Sequence, residues 1–308
     1  MRKLPQSAVH WGALGVLGFS LTLPATRAAA PELGGAFVGL ARAIVAALCA
    51  GLLLIAKGET WPPRRLWGSL ALTALGVVIG FPLCSALAMA QLPASHGAVL
   101  IGLMPAATAL MAVVRAGERP QPAFWAACVL GVAAVLCFAV VEGAGLPQPA
   151  DALLLASVFF GALGYAEGGK LARELGGWRV ICWALVGCAP LLILPVAWLC
   201  VTNWQSLIEA SPRAWAGFAY VSLVSMFGAF FAWYRGLAEG GVARIGQIQL
   251  LQPVGTLLWS ALLLGERLRW PTIAASLFVV GTAALTQRVR GGRGASVTSP
   301  VAATVEKL

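Results

Sequence analysis

Charge is scarce in this chain. Only 10% of its 308 residues are charged, 11 of them acidic, and there are two histidines and three tyrosines. A soluble domain needs polar side chains to cover its surface, so 60% hydrophobic residues and a mean hydropathy of +0.87 exclude a water-exposed fold. The usual signatures of chemistry are missing too. No His-Glu-x-x-His, no Gly-x-Ser-x-Gly and no Gly-x-x-x-x-Gly-Lys-Ser/Thr loop occurs, and His10 and His96 stand far apart. This leaves no candidate catalytic residue, metal site or cofactor site, and it removes nucleotide hydrolysis as an energy source. A Thr-Val-Gly-Tyr-Gly channel filter is also absent. Cys49, Cys84, Cys128, Cys137, Cys182, Cys188 and Cys200 lie inside apolar runs without a Cys-x-x-Cys pair, and read as small hydrophobes.

What the chain does have is long apolar runs. A helix crossing about 30 Å of hydrocarbon needs about 20 apolar residues, and runs of that size lie at 9–28, 34–56, 67–88, 94–114, 121–141, 150–171, 178–200, 213–234, 242–264 and 270–287. The expected fold class is therefore all-α integral membrane, with about ten transmembrane helices and no room for a soluble catalytic domain. Arg2, Lys3, the first apolar run and Ala28-Ala29-Ala30 imitate a secretory signal, but cleavage there would leave four spans against five, so the first helix is expected to stay.

The net charge of +10 is spread through short connections and forms no patch for nucleic acid. With an even number of spans, sixteen of the 21 Lys and Arg residues fall on the side of the termini and four on the other, with Arg42 inside a span. Basic loops stay cytoplasmic, which predicts both termini there. Residues 1–8 are expected to form a short cytoplasmic tail. The Gly-, Ser- and Thr-rich stretch 288–308 should form a disordered one.

The sequence repeats itself. Pro105 followed by Gly117-Glu118-Arg119 returns as Pro253 followed by Gly265-Glu266-Arg267, each displaced by 148 positions. Both copies read as a proline-interrupted helix, a turn, and a span that closes a half. A five-span unit is odd, so its second copy must enter the membrane the other way up. Two inverted five-helix repeats follow, 9–141 and 150–287, the architecture in which carriers place a solute near midplane. Pro105 and Pro253 are then structural helix breaks. Glu and Arg in such a turn also serve simply to cap and anchor helix ends.

These blocks, with Leu40-Ala41-Arg42 near the start of the second span and Trp11-Gly12 opening the first, resemble the EamA family of the drug/metabolite transporter superfamily over nearly the whole chain, residues 9 to 287. The resemblance implies a ten-helix carrier of the bacterial inner membrane that exports amino acids or other small metabolites.

Ionisable and polar groups inside hydrocarbon are the default site candidates. Arg42 lies 15 residues before Lys57, about 22 Å at 1.5 Å per residue, too deep to snorkel to that end. Two roles are open to it: a bidentate fork for a substrate carboxylate or phosphate, or a structural lock tied to carbonyls where helices cross. Glu167, with Tyr165 nearby, either reads a substrate ammonium or coupling proton or forms an interfacial i,i+3 pair with Lys170. Gln249, Gln252, Thr256 and Ser260 share one helix face that looks inward and either lines a cavity or binds neighbouring helices. His96, near the outer end of the fourth span, is a further candidate ligand, with a satisfied interfacial histidine as its plain alternative. Ser157, Gly161, Gly164 and Gly168 make a small-residue stripe for close helix packing.

The expected function is a secondary carrier working by alternating access. Its partners would be a small-molecule solute, the lipid bilayer and a coupling proton or counter-solute. A membrane scaffold or assembly protein without transport activity is the competing class.

Overall fold

The computed structural model describes residues 6–116, 126, 129–130, 133, 148–246 and 248–291. The expected fifth span at 121–141 lies almost wholly outside the described residues. So do Gly117-Glu118-Arg119, the first five residues and most of the 288–308 tail.

The described residues are helical, and seven runs are long and apolar enough to cross a membrane: Gln6–Leu33, Gly35–Ala56, Arg64–Met89, Ala94–Met111, Pro149–Leu175, Gly177–Thr202 and Pro212–Gly240. Ile248–Leu264 is a shorter apolar helix. The first run is α1 (Gln6–Ser20) and α2 (Thr22–Leu33), and the second is α3 (Gly35–Ala56). The third is α4 (Trp67–Thr73), a π-helical segment Ala74–Gly80 and α5 (Phe81–Met89). Next come α6 (Ala94–Ile101) and α7 (Met104–Ala116), then α8 (Pro149–Leu175) and α9 (Gly177–Thr202). After the short α10 (Trp204–Glu209), the run from Pro212 is α11 (Pro212–Ala219), a second π-helical segment Tyr220–Gly228 and α12 (Ala229–Gly240). The last described elements are α13 (Val242–Ile245), a 3-10 turn Ile248–Leu251, α14 (Gln252–Leu264) and α15 (Trp270–Gly291).

The irregularities recur in register. The π segments end at Gly80 and Gly228, α6 and α13 begin at Ala94 and Val242, and α7 and α14 begin at Met104 and Gln252. Each pair is 148 positions apart, the displacement of the duplicated prolines. Pro105 and Pro253 are therefore not mid-helix kinks. Each is the second residue of a helix that starts after an interruption, where a missing amide hydrogen leaves no intrahelical bond unmade. Between the first two runs of each half the chain turns at Gly34 and Gly176, both at φ 85°, a left-handed conformation open mainly to glycine.

Packing repeats as well. α3 lies along α9, and α6 meets α14; α1 packs on α12 as α8 packs on α5 and the first π segment. Exchanging the two halves maps α3–α9 onto itself, α1–α12 onto α8–α5, and α6–α14 onto α13–α7, which also touch. In lipid such contacts depend on close backbone approach, and the glycine stripe supplies it. A Cβ on Gly164 would lie 2.9 Å from the Val77 amide nitrogen, one on Gly76 would meet the Gly164 backbone at 2.6 Å, and one on Gly168 would enter the Tyr234 ring. Outward faces are apolar, with Leu52, Ile55, Leu191 and Leu194 largely exposed as lipid contact requires.

Candidate functional site

Near the middle of the first run the helix is interrupted at Leu21. Pro24 has no amide hydrogen to give to the Ser20 carbonyl four residues back, and in hydrocarbon that oxygen needs another donor. Thr256 provides it, its hydroxyl donating to the Ser20 carbonyl at 2.7 Å. Trp259 Nε1 donates to the Ser20 hydroxyl at 3.0 Å. The inward face of α14 expected from Thr256 thus binds across to the first run. Just beyond the interruption, the Thr22 and Ser225 hydroxyls share a hydrogen bond of 2.8 Å, joining the first run to the second π segment.

These features surround a small cavity with room for roughly one water. Its polar lining is Thr22, Arg42, Tyr165, Ser225 and Gln252; Phe19, Val77, Phe81, Met226 and Phe230 make the apolar part. Both halves contribute, and each π segment brings a wall: Val77 from one, Ser225 and Met226 from the other. Tyr165 belongs to an aromatic cluster, its ring centroid 5.4 Å from Trp233, 6.0 Å from Phe19 and 6.1 Å from Phe230.

Of the residues expected at a site, the structure brings Arg42, Tyr165 and Gln252 together on this cavity. Arg42 is 1% exposed, and its Nε and Nη1 find no acceptor among the described residues. The carbonyl partners that a structural lock requires are therefore not at these two nitrogens. The Gln252 Oε1 also has no donor there.

Glu167, Gln249 and His96 are not among the lining residues. Glu167 is buried, and α8 runs on to Leu175, so it sits more than two turns inside the helix and not at its boundary. Gln249 is buried in the 3-10 turn before α14, with both amide atoms unpartnered among the described residues. His96 lies in the first turn of α6, its Nε2 2.6 Å from Asp151 Oδ1 at the start of α8, with both side chains buried. The other Asp151 oxygen accepts from the Gln148 amide at 2.9 Å, closing a capping box. Beside it, Glu266 accepts from the Ala94 and Ser95 amides at 2.8 and 2.9 Å, so the second Gly-Glu-Arg block caps α6, a helix of the first half.

Sequence reading missed Thr22, Ser225 and the apolar wall. Hydroxyls in membrane helices usually bond their own backbone, and a phenylalanine faces lipid as readily as a cavity. The one available signal was Pro24, which marks the interruption beside Thr22.

Comparison with known proteins adds an independent line. The EamA-like transporter family matches residues 6–140 and 148–287, two copies along the chain. The chain is 44% identical over 277 residues to "Uncharacterized transporter YdeK" of Bacillus subtilis (strain 168), covering 90% of this chain and 96% of that protein. It is 25% identical over 263 residues to "Protein PecM" of Dickeya dadantii (strain 3937), covering 81% and 83%. A solved crystal structure, 18% identical, superposes with a TM-score of 0.61 over 91% of this chain and 98% of the other, which shows a shared fold.

Proposed function

Because the chain belongs to the EamA-like transporter family and is a multi-pass membrane transporter, we propose that it is a secondary exporter of small polar or amphipathic metabolites, amino acids or related compounds among them, working by alternating access around the central cavity. One observation carries this reading: a polar cavity with a buried arginine lies between the halves, walled by two π segments whose ends are 148 positions apart. π-helical turns tend to occur at functional sites, and these two take up the movement as one half rocks against the other. The two halves are inverted repeats of five helices, ten in all, and an axis in the membrane plane relates Pro105 to Pro253. The solute path then runs between the fourth and ninth spans, past the cavity.

The membrane is the bacterial inner membrane, with both termini cytoplasmic, as the sixteen-to-four distribution of basic residues supports. Outward direction follows the family resemblance. The driving force is a proton or counter-solute gradient, and the chain acts as a carrier rather than as an enzyme.

Reconstitution tests the reading. Purified protein in liposomes loaded with unlabelled metabolite should accumulate the labelled form by counterflow. Absence of counterflow across a broad metabolite panel, with the protein correctly inserted, would reject transport and favour a scaffold.

A further inference from the structure

We infer that the cavity selects a compact monocarboxylate with an apolar body over a zwitterionic amino acid of the same shape, with Arg42 holding the carboxylate. The inference rests on the cavity being the transport site, opening in the transport cycle beyond the single-water space it has here, and adds the charge of its ligand.

The starting point is an electrostatic imbalance. Among the described residues Arg42 is the sole charged side chain lining the cavity; the other polar members, Thr22, Tyr165, Ser225 and Gln252, are neutral. A guanidinium 1% exposed, with Nε and Nη1 unpartnered among the described residues, is strongly disfavoured in apolar surroundings. A countercharge that arrives with the ligand removes that penalty, and a carboxylate matches the guanidinium fork with two parallel hydrogen bonds.

The same inventory sets the ligand's net charge. With a monocarboxylate bound, cavity and ligand sum to zero. With an α-amino acid bound, the sum returns to plus one, and no lining carboxylate among the described residues receives the ammonium. The ammonium would have to lie on aromatic faces, a partial compensation, in the same small space as the guanidinium, where low dielectric magnifies repulsion. A phosphate monoester leaves an excess negative charge instead. The Gln252 amide can present either its oxygen or its nitrogen, so it follows the ligand and does not choose it. Thr22 and Ser225 are already bonded to each other. The remainder of the ligand meets Phe19, Phe81, Phe230 and Met226, which calls for an apolar body.

Four probes with nearly one body separate the possibilities: 3-phenylpropionate, L-phenylalanine, 2-phenylethylamine and 3-phenylpropanol. Each is tested at pH 7 with purified protein, by ligand-induced thermal stabilisation and by counterflow in liposomes. The carboxylate should bind about tenfold or more tighter than the zwitterion and the alcohol, with the amine weakest. The wild-type order is decisive without a variant. Arg42→Gln should level the series, and Arg42→Lys should restore only part of the preference. Equal or tighter binding of phenylalanine or the amine overturns the anion inference, and counterflow of either would leave the transport reading standing. If none of the four binds, the inference also falls. A cysteine at 252 that no aqueous thiol reagent reaches would then take the cavity reading with it.

Discussion

Two buried ionisable sites in this molecule face opposite circumstances. At the start of α6, His96 and Asp151 meet at 2.6 Å, Asp151 also accepts from the Gln148 amide, and Glu266 occupies the adjacent helix amides. In the cavity, Arg42 is equally buried, yet two of its three guanidinium nitrogens meet no acceptor among the described residues. Burial alone does not separate a lock from a ligand site. The separating quantity is how much of the group's bonding capacity the protein itself uses: at the α6 end Asp151 and Glu266 are committed on both oxygens, and at the cavity the capacity is open.

The largest expected effect breaks the comparison at Arg42. Arg42→Ala should abolish transport while membrane abundance stays near wild type, because no described acceptor at Nε or Nη1 is left behind. Arg42→Met, which fills similar volume without charge, should also abolish transport and raise the apparent melting temperature, as replacement of a buried charge by a packed apolar group often does. Transport rate per molecule and thermal unfolding in detergent measure both. A protein that vanishes from the membrane in both variants would mark Arg42 as a lock after all.

At His96 and Asp151 the effect should be on stability. Asp151→Ala leaves His96 and the Gln148 amide without their acceptor, and removing one partner of a buried pair costs about 3 kcal/mol. The expected result is reduced membrane abundance and a lower melting temperature, with the transport rate per surviving molecule within about twofold of wild type, since the lining does not include either residue. A stable variant with lost transport would make this pair part of the path.

The same contrast shows what could be read from sequence. The spans were legible because apolar length and flanking charge define a crossing helix: 34–56 was expected and Gly35–Ala56 observed, 178–200 expected and Gly177–Thr202 observed. Arg42 stood out as a lone charge deep in hydrocarbon, and its place on the cavity needed the fold. The π segments were not legible, because Ala74–Gly80 is an unbroken apolar stretch whose hydrogen-bond pattern depends on tertiary neighbours such as Gly164 against Gly76. The His96–Asp151 pair was hidden by distance, being 55 positions apart in different halves. In sequence Asp151 is simply the second residue of the apolar run 150–171.

The finest test separates two glutamines three positions apart. The spacing places Gln249 and Gln252 on one inward face, and a continuous helix would offer both to the same water. The chain instead changes from a 3-10 turn to α14 between them, and only Gln252 lines the cavity, though both are buried. Single cysteines at 252 and 249, in a protein whose seven native cysteines are replaced, should therefore react differently with a small charged thiol reagent. Position 252 should label at a measurable rate that a transported solute slows; position 249 should label more slowly, with no protection by solute. Equal labelling and equal protection would mean that the turn opens during the transport cycle and that both glutamines face the path. If neither labels from water while a lipid-soluble reagent reaches both, α14 faces lipid, and the distinction between an open centre and a closed α6 end fails at its centre.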